Sequence, residues 1–497
     1  MSDRPRIRLF LAYQTDPGDG GGGNLANRVC ADVLRSSFDV VDHREDADLQ
    51  IISYAWDGAP HPARLFIDHG SFADAGFWAF RAPGLTSRDT VLVASSVCQR
   101  IAQRFIESGG PSVVTVPLPI DTEQFSPAVD RQAVRRGLRD EHGIPDGGPL
   151  LLVAAGFVRR KNHHLALRVF GQLLEQVPEA RLAVVGSTPN AETSRWYRAA
   201  VSDLAVRLGI ASRVQFLGPL PRPRLARLMS GADLLLHLTT CRIENFGLVV
   251  AEAMAAGLPV AASDWGGLRD LVSPGGTGLL ARTYLSDLGP RVDWRSLVGP
   301  AGDLLRDADA WTLMSRRARE RAVEQLGLPA YSGRLRDAIA VAFQRSSVAA
   351  TPPVFSPGAR ELMFRTTVLN AMHREIRDAG DEFRLLMPLD GGSHYRFLAG
   401  PAATSERPPI VQQDDHLYPV AAWHTEADDV VVSDEAWPSR FHAPTPALRL
   451  LQRCDGTQPV RGTLELLRAE NPEGNDMMRH AQWLVDRGVL CPLDRRG

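Results

Sequence analysis

The sequence predicts an α/β protein: two facing, doubly wound parallel-sheet bodies followed by a small α+β module. Three observations predict it. Up to residue 345, short apolar runs alternate with helix-periodic segments, the pattern of parallel sheets covered by helices. A turn-rich passage, Pro117 to Pro127, divides that series in two, and a Ser-, Ala- and Pro-rich stretch, Ser346–Pro357, separates off a tail. At 497 residues the chain suits about three cores, because single cores rarely grow far beyond ~250 residues.

Ile7–Tyr13, Leu49–Tyr54, Leu65–Asp68, Val91–Ala94 and Val113–Val116 read as strands of the first body, with a helix over Leu25–Ser36 after the first of them. From Pro117 to Pro127 two X-Pro steps and missing proline amides end regular structure. The second series is Leu150–Ala155, Leu182–Val185, Val214–Leu217, Leu234–Leu238 and Pro259–Ala262. The expected domains are 1–128, 129–345, a connecting stretch 346–409 that carries helical spacing over Ala359–Ala379, and 410–497. In the last, Tyr418–His424 and Val430–Ser433 look strand-like, and amphipathic helices are expected over 445–457, around 464–467 and over 481–490.

Composition excludes several classes. With 56 basic and 58 acidic residues the net charge is -2, so there is no general attraction to nucleic acid. Cys30, Cys98, Cys241, Cys454 and Cys491 are scattered without a Cys-x-x-Cys pair, which suits neither a disulfide framework nor a zinc site. No apolar run approaches the ~20 residues of a membrane helix, and the N-terminus lacks a signal-peptide core. A cytoplasmic protein with no integral membrane segment is expected.

Lys161 is the one lysine among the 56 basic residues. It follows the apolar run Leu150–Ala155, and a compact ammonium on a flexible stem suits a phosphate oxygen where the planar arginine fork does not. In Gly18-Asp-Gly-Gly-Gly-Gly-Asn24, after the first strand, Gly22 and Gly23 let backbone approach a ligand, and the helix end that follows favours anions. The run Arg242–Val260 sits after the strand Leu234–Leu238. Glu244 and Glu252, eight apart, would be about 80° out of phase on one helix, so Glu244 is expected in a loop. Gly247 and Leu248 then open a helix whose free amides face a diphosphate, with Glu252 in its first turns.

At these residues the chain resembles the retaining, family-4 type glycosyltransferases of GT-B architecture. The resemblance is carried by Glu244…Glu252, the run from Glu252 to Val260, Lys161-Asn162, Val214-Gln-Phe-Leu-Gly218 and Ile120-Asp-Thr-Glu-Gln-Phe-Ser-Pro127, and covers about Ile7 to Arg345. It implies a nucleotide-sugar co-substrate, first a UDP-sugar and alternatively a GDP-sugar, with no other cofactor. Lys161 would meet its phosphates and Glu252 its ribose. Glu244 would stand near the transferred sugar, with Asn245, Phe246, Gly247 and Leu248 around the diphosphate and Phe216 and Leu217 by the base. His69 matches the family's cleft histidine facing the sugar. Where the family commonly carries an arginine five residues before the phosphate lysine, this chain has Gly156, leaving Arg160 or Arg159 as replacement cation. No Asp-x-Asp pair at the end of a strand and no His/Cys ligand set is evident, so a metal-independent reaction is expected, and the resemblance implies retention; His163-His164 read as helix surface.

The tail resembles the winged-helix RiPP recognition element, a leader-peptide-binding domain, in Leu451-Gln-Arg-Cys-Asp-Gly-Thr-Gln-Pro-Val460 and Trp483-Leu-Val-Asp-Arg-Gly-Val-Leu490. Such domains bind peptide by strand addition. The resemblance implies a precursor or leader peptide as partner, and a ribosomal peptide or secondary metabolite as acceptor. A GT-B epimerase or phosphorylase, or a degenerate transferase serving as peptide scaffold, are the alternatives.

Overall fold

A computed structural model describes residues 7–12, 22–53, 64–68, 75–145, 147–189, 192–286, 289–372 and 399–405, and in the tail 407–412, 415, 417–419, 423–426, 429–432, 439–455, 459–470, 477–487 and 489–492. Strands β1 (Arg8–Ala12), β2 (Asp39–Val40), β3 (Leu49–Ser53), β4 (Arg64–Asp68), β5 (Thr90–Val93), β6 (Ile106–Ser108) and β7 (Ser112–Thr115) belong to the first body. All but β6 form a parallel sheet in the order β2-β1-β3-β4-β5-β7. In the second body β8 (Leu150–Ala154), β9 (Arg181–Val185), β10 (Val214–Gly218), β11 (Leu234–His237), β12 (Val260–Ser263) and β13 (Gly278–Ala281) pair in parallel as β10-β9-β8-β11-β12-β13.

The ten expected strands fall on observed ones to within a residue. The reason lies in burial: a parallel sheet covered on both faces needs strands apolar throughout, as in the wholly buried Leu-Leu-Leu-Val-Ala of β8. Two apolar cores, one on each face of the second sheet, contain alternate residues of β8: Leu151 and Val153 in one, Leu150, Leu152 and Ala154 in the other. The winding starts at β8, runs outward through β9 and β10, then crosses to β11 and runs the other way. The switch point therefore lies between β8 and β11, where open α/β sheets bind ligands at the carboxyl ends of their strands.

The turn-rich passage docks on the second body. Ile120 and Phe125 enter its core, Ile120 N–H donates to Leu326 O at 2.8 Å, and Arg319 donates to the carbonyls of Thr122, Phe125 and Ala255. The helix Leu328–Arg345 then leaves the second body and packs Tyr331, Leu335, Ala338, Ile339 and Ala342 against Leu9, Leu49, Ile51 and Leu65 of the first.

After the hairpin β14 (Thr283–Ser286) and β15 (Gly289–Val292), β16 (Val354–Phe355) pairs antiparallel with β6, and the helix Pro357–Met372 buries Ala359 and Leu362 on the first body. Residues 399–405 form a strap. Ala402 O accepts from Gly266 N–H at 2.8 Å, Ala403 O from Arg269 at 2.9 Å and Pro401 O from Arg100 at 3.3 Å, so it grips both bodies.

The tail module packs helices Thr445–Arg453, Val460–Glu470 and Met477–Asp486 around one core. The strand expected over Tyr418–His424 is divided there. β17 (Leu417–Pro419) pairs with β21 (Leu490–Pro492), whereas β18 (Trp423–Glu426) joins a separate sheet with β19 (Asp429–Val432) and β20 (Ser439–His442). Cys491 reaches into the second body's core beside Tyr284 and Trp294, so the module is seated on that body.

Candidate active site

The two chain segments leaving β8 and β11 build the site. After β8 the chain makes a 3-10 turn, Arg159–Lys161, and Asn162 takes φ +51°, the one non-glycine residue with positive φ among the described residues. Asparagine tolerates that region better than most residues. Its side chain makes the turn specific: Nδ2 donates to Leu238 O at 2.8 Å and Thr240 Oγ1 at 3.0 Å, and Thr240 N–H donates back to Arg160 O at 2.9 Å. Lys161 is thereby fixed against the segment that carries Glu244.

Glu244 lies in a loop, as expected. Its N–H donates to Cys241 O and its carbonyl accepts from Gly267 N–H, both at 2.9 Å. The close approach needs glycine: a Cβ on Gly266 would stand 2.3 Å from Glu244 O, and one on Gly267 2.2 Å from Asn245 O.

Lys161 Nζ is in direct contact with Glu244 Oε2. Burial works against the Lys161 ammonium, and the Glu244 carboxylate outweighs it, so the lysine pKa is raised. Burial likewise opposes charge on Glu244, but Lys161 holds that carboxyl well below the usual carboxylate range. Both groups are therefore charged. His237, at the end of β11, points Nε2 toward Glu244 Oε2 at 3.8 Å, beyond hydrogen-bond range, and burial lowers its pKa.

Gly247, at φ +98°, caps the helix Leu248–Ala255. Asn245 N–H is taken by Ile243 O, whereas among the described residues the amides of Phe246, Gly247, Leu248 and Val249 donate to no carbonyl. They form an anion-ready helix start beside Lys161. The Phe246 ring is core, so that residue offers its amide alone. Glu252, one turn further, is nearly fully buried and pairs with Arg222 at 2.7 Å; burial raises its pKa against the pull of Arg222. The contact lacks hydrogen-bond alignment, leaving Oε1 without a directed donor.

The remaining expected residues divide. Phe216 lies on β10 with the Arg198 guanidinium 3.9 Å from its ring centroid, and Leu217 packs toward the sheet's other core. The Arg160 carbonyl ties down the loop after β11, while Arg159 stacks over Trp196 at 4.8 Å, toward the helix Glu192–Arg207. The helix after β1 begins at Gly22, so Gly22 and Gly23 are its first residues; 13–21, with the rest of the glycine loop, lie outside the described residues, as does His69 just after β4. His163 and His164 are not helix surface. Both are buried, His163 stacked on Phe157 with Nε2 3.2 Å from Ala155 O and His164 bonded to Tyr197 OH at 3.0 Å. The cause is that this helix follows β8, an interior strand of the sheet, and both rings complete the core beside Phe157 and Tyr197. Among the described residues no His, Cys, Asp and Glu group could hold a metal ion, and no helix is long and apolar enough to cross a membrane.

Arg222, His237 and Arg198 were missed by sequence reasoning. His237 alone left a signal, as a polar residue inside the apolar run Leu234–Leu238.

Residues 134–288, which hold this whole constellation, match the family described as Glycosyl transferases group 1. The similarity to that family is carried by this stretch. The chain is also similar to curated proteins. The chain is 30% identical over 241 residues to the GDP-mannose-dependent alpha-(1-6)-phosphatidylinositol monomannoside mannosyltransferase of Mycolicibacterium smegmatis, covering 47% of this chain and 58% of the relative. It is 35% identical over 205 residues to the D-inositol 3-phosphate glycosyltransferase of Nocardia farcinica, covering 41% and 42%. The chain thus spans about half the length of these curated relatives. In fold it is similar to the sucrose-phosphate synthase of Thermosynechococcus elongatus, with a TM-score of 0.56 and 21% identity over 68% of this chain and all of the other. That likeness supports the fold alone, a two-body GT-B-like architecture.

Proposed function

We propose that the protein transfers a sugar, with retention and without a metal, from a nucleoside-diphosphate sugar to a ribosomal peptide or a secondary-metabolite acceptor. One observation carries the reading: Lys161, Glu244 and the four open amides from Phe246 to Val249 converge at the switch point between β8 and β11. A cation and oriented N–H groups there suit a diphosphate, and a carboxylate suits sugar hydroxyls.

As the sugar–oxygen bond to the diphosphate breaks, positive charge grows on the sugar and negative charge on the departing phosphate oxygen. Lys161 and the helix start stabilise that oxygen more than they stabilise the intact donor. Glu244 faces the sugar, Glu252 accepts from the ribose, and Phe216 and Leu217 flank the base. By the resemblance, His69 is assigned to the acceptor side. The acceptor hydroxyl attacks on the face the diphosphate leaves and gives its proton to the departing phosphate oxygen, and the tail module holds a leader peptide by strand addition. Support for the peptide is the resemblance of 451–460 and 483–490 to a recognition element.

The test is incubation of the full chain with a panel of UDP- and GDP-sugars and candidate acceptors, read by mass spectrometry. GDP is included because one relative is GDP-mannose-dependent by name. An acceptor mass shift with release of nucleoside diphosphate is expected. Nucleotide binding with neither hydrolysis nor transfer would favour the scaffold alternative instead.

A further inference from the structure

Asn245 follows Glu244 directly, but its side chain faces the other body. It is 7% exposed. Oδ1 accepts from Ser95 Oγ at 3.0 Å and from Cys98 Sγ at 2.7 Å, and Nδ2 donates to Asp68 O, at the end of β4, at 3.4 Å. Every one of those partners belongs to the first body. The carboxamide is therefore committed across the divide rather than to the open amides beside it, which need only backbone.

A second contact grips the same element. The Asp270 carboxylate accepts from Ser96 N–H at 2.5 Å and from Ser96 Oγ at 2.7 Å, so the start of the first-body helix Ser96–Phe105 is held from two points of the second body. Between those points lies the Gly266-Gly267 turn, which touches the backbone of Glu244 and Asn245 on one side and on the other donates through Gly266 N–H to Ala402 O of the strap. A shift of the first body relative to the second must break these bonds or carry the Glu244 loop with it.

We propose that Asn245 is a positioning residue: it registers the Glu244 loop against the first body, so that the placement of the Glu244 carboxylate follows the setting of the two bodies. This rests on the donor-site reading above and deepens it. The acceptor side and the donor side then share one hydrogen-bonded joint, with Glu244 on its donor edge. Small displacements of a positioned group cost rate steeply, whereas a diphosphate keeps Lys161 and the backbone amides as partners when the Glu244 carboxylate shifts.

The experiment uses the full chain with Asn245→Ala, Asn245→Asp, Ser95→Ala and the Asn245→Ala/Ser95→Ala double variant. UDP and GDP affinities are measured by calorimetry, and turnover as nucleoside diphosphate released from the nucleotide sugar that wild type hydrolyses. Asn245→Ala is expected to lower kcat on the order of ten- to a hundredfold with nucleotide affinity changed by less than about threefold. Asn245→Asp keeps the acceptor for Ser95 and Cys98, and should restore part of the lost turnover. Ser95→Ala should add nothing to Asn245→Ala, since both break one joint. Unchanged kcat, loss of affinity in step with kcat, or additive single losses would overturn the inference. A wild type that binds neither UDP nor GDP would instead bring down the donor-site reading itself.

Discussion

Lys161 and Glu244 reach each other from the ends of neighbouring strands, so each neutralises its partner before any anion arrives. A diphosphate must compete with Glu244 for the ammonium. Lys161→Ala should lower kcat/KM on the order of a hundred- to a thousandfold, the scale of losing one charge-stabilising donor. Lys161→Arg should recover only part, because the fork cannot replace a point charge in the same space. Steady-state kinetics with wild-type-like kcat/KM for the alanine variant would remove Lys161 from the site.

The same pairing separates the two glutamates. Glu244→Gln releases Lys161 from its counter-charge, so inorganic pyrophosphate should bind more tightly while kcat falls. Glu252→Gln should leave pyrophosphate untouched and weaken UDP or GDP about ten- to a hundredfold, the range of a hydrogen bond to a charged group. Calorimetry with pyrophosphate and with each nucleotide distinguishes the roles; equal nucleotide losses in both variants would contradict them.

Burial pushes the His163 imidazole down to about 3. Its folded pKa lies below the unfolded value of about 6.5, so the unfolded chain binds the extra proton as pH falls. Its contribution is complete above that value and is lost between about 6.5 and 3, at about 1.4 kcal/mol per pH unit. His163→Phe keeps a ring against Phe157 and should flatten this slope. Urea unfolding of both proteins at pH 7 and 5 measures it, and parallel losses would refute the assignment.

Gly267→Ala places a methyl 2.2 Å from Asn245 O, against backbone that cannot yield without moving Glu244. Turnover should drop by more than tenfold, on the scale of a misplaced catalytic group. The second sheet is untouched, so circular dichroism should be unchanged. A fully active alanine variant would show that the Gly266-Gly267 turn does not set the Glu244 loop.

Removing residues from 410 onward would uncover the second body's core where Cys491 meets Tyr284 and Trp294, and would take away the Pro492 carbonyl that accepts from Arg282 at 3.2 Å. A lower melting temperature is expected for the truncated protein, by scanning calorimetry. An unchanged one would mean that the module's seat contributes nothing to the second body.

Much of this was legible in the chain. β8 could be read because both its faces are buried, and the loop position of Glu244 because of its phase against Glu252. What could not be read depends on distant partners. The Lys161–Glu244 contact spans 83 residues and the Asn245–Ser95 bond 150, distances at which no local pattern survives. His163 and His164 were misjudged for the same reason: their polarity is a property of the residue, their burial a property of the sheet above them. The divided strand near Tyr418 shows the limit of a period-2 pattern, which marks extended chain without naming its sheet.

The helix Leu328–Arg345 closes a face of the sheet that begins with β1, and β16 completes the edge at β6. During synthesis, the first body therefore leaves the ribosome with its Leu9–Leu49–Ile51 core incomplete, and it stays so until the helix Leu328–Arg345, roughly 200 residues further on, has been made. At ~5–20 residues per second this lasts tens of seconds, long enough for exposed apolar sheet to attract chaperones or other nascent chains. The second body, whose two cores need little from outside residues 118–326, can meanwhile fold first. The protein would then be assembled from the middle outward, its first body waiting for the helix that leaves the second.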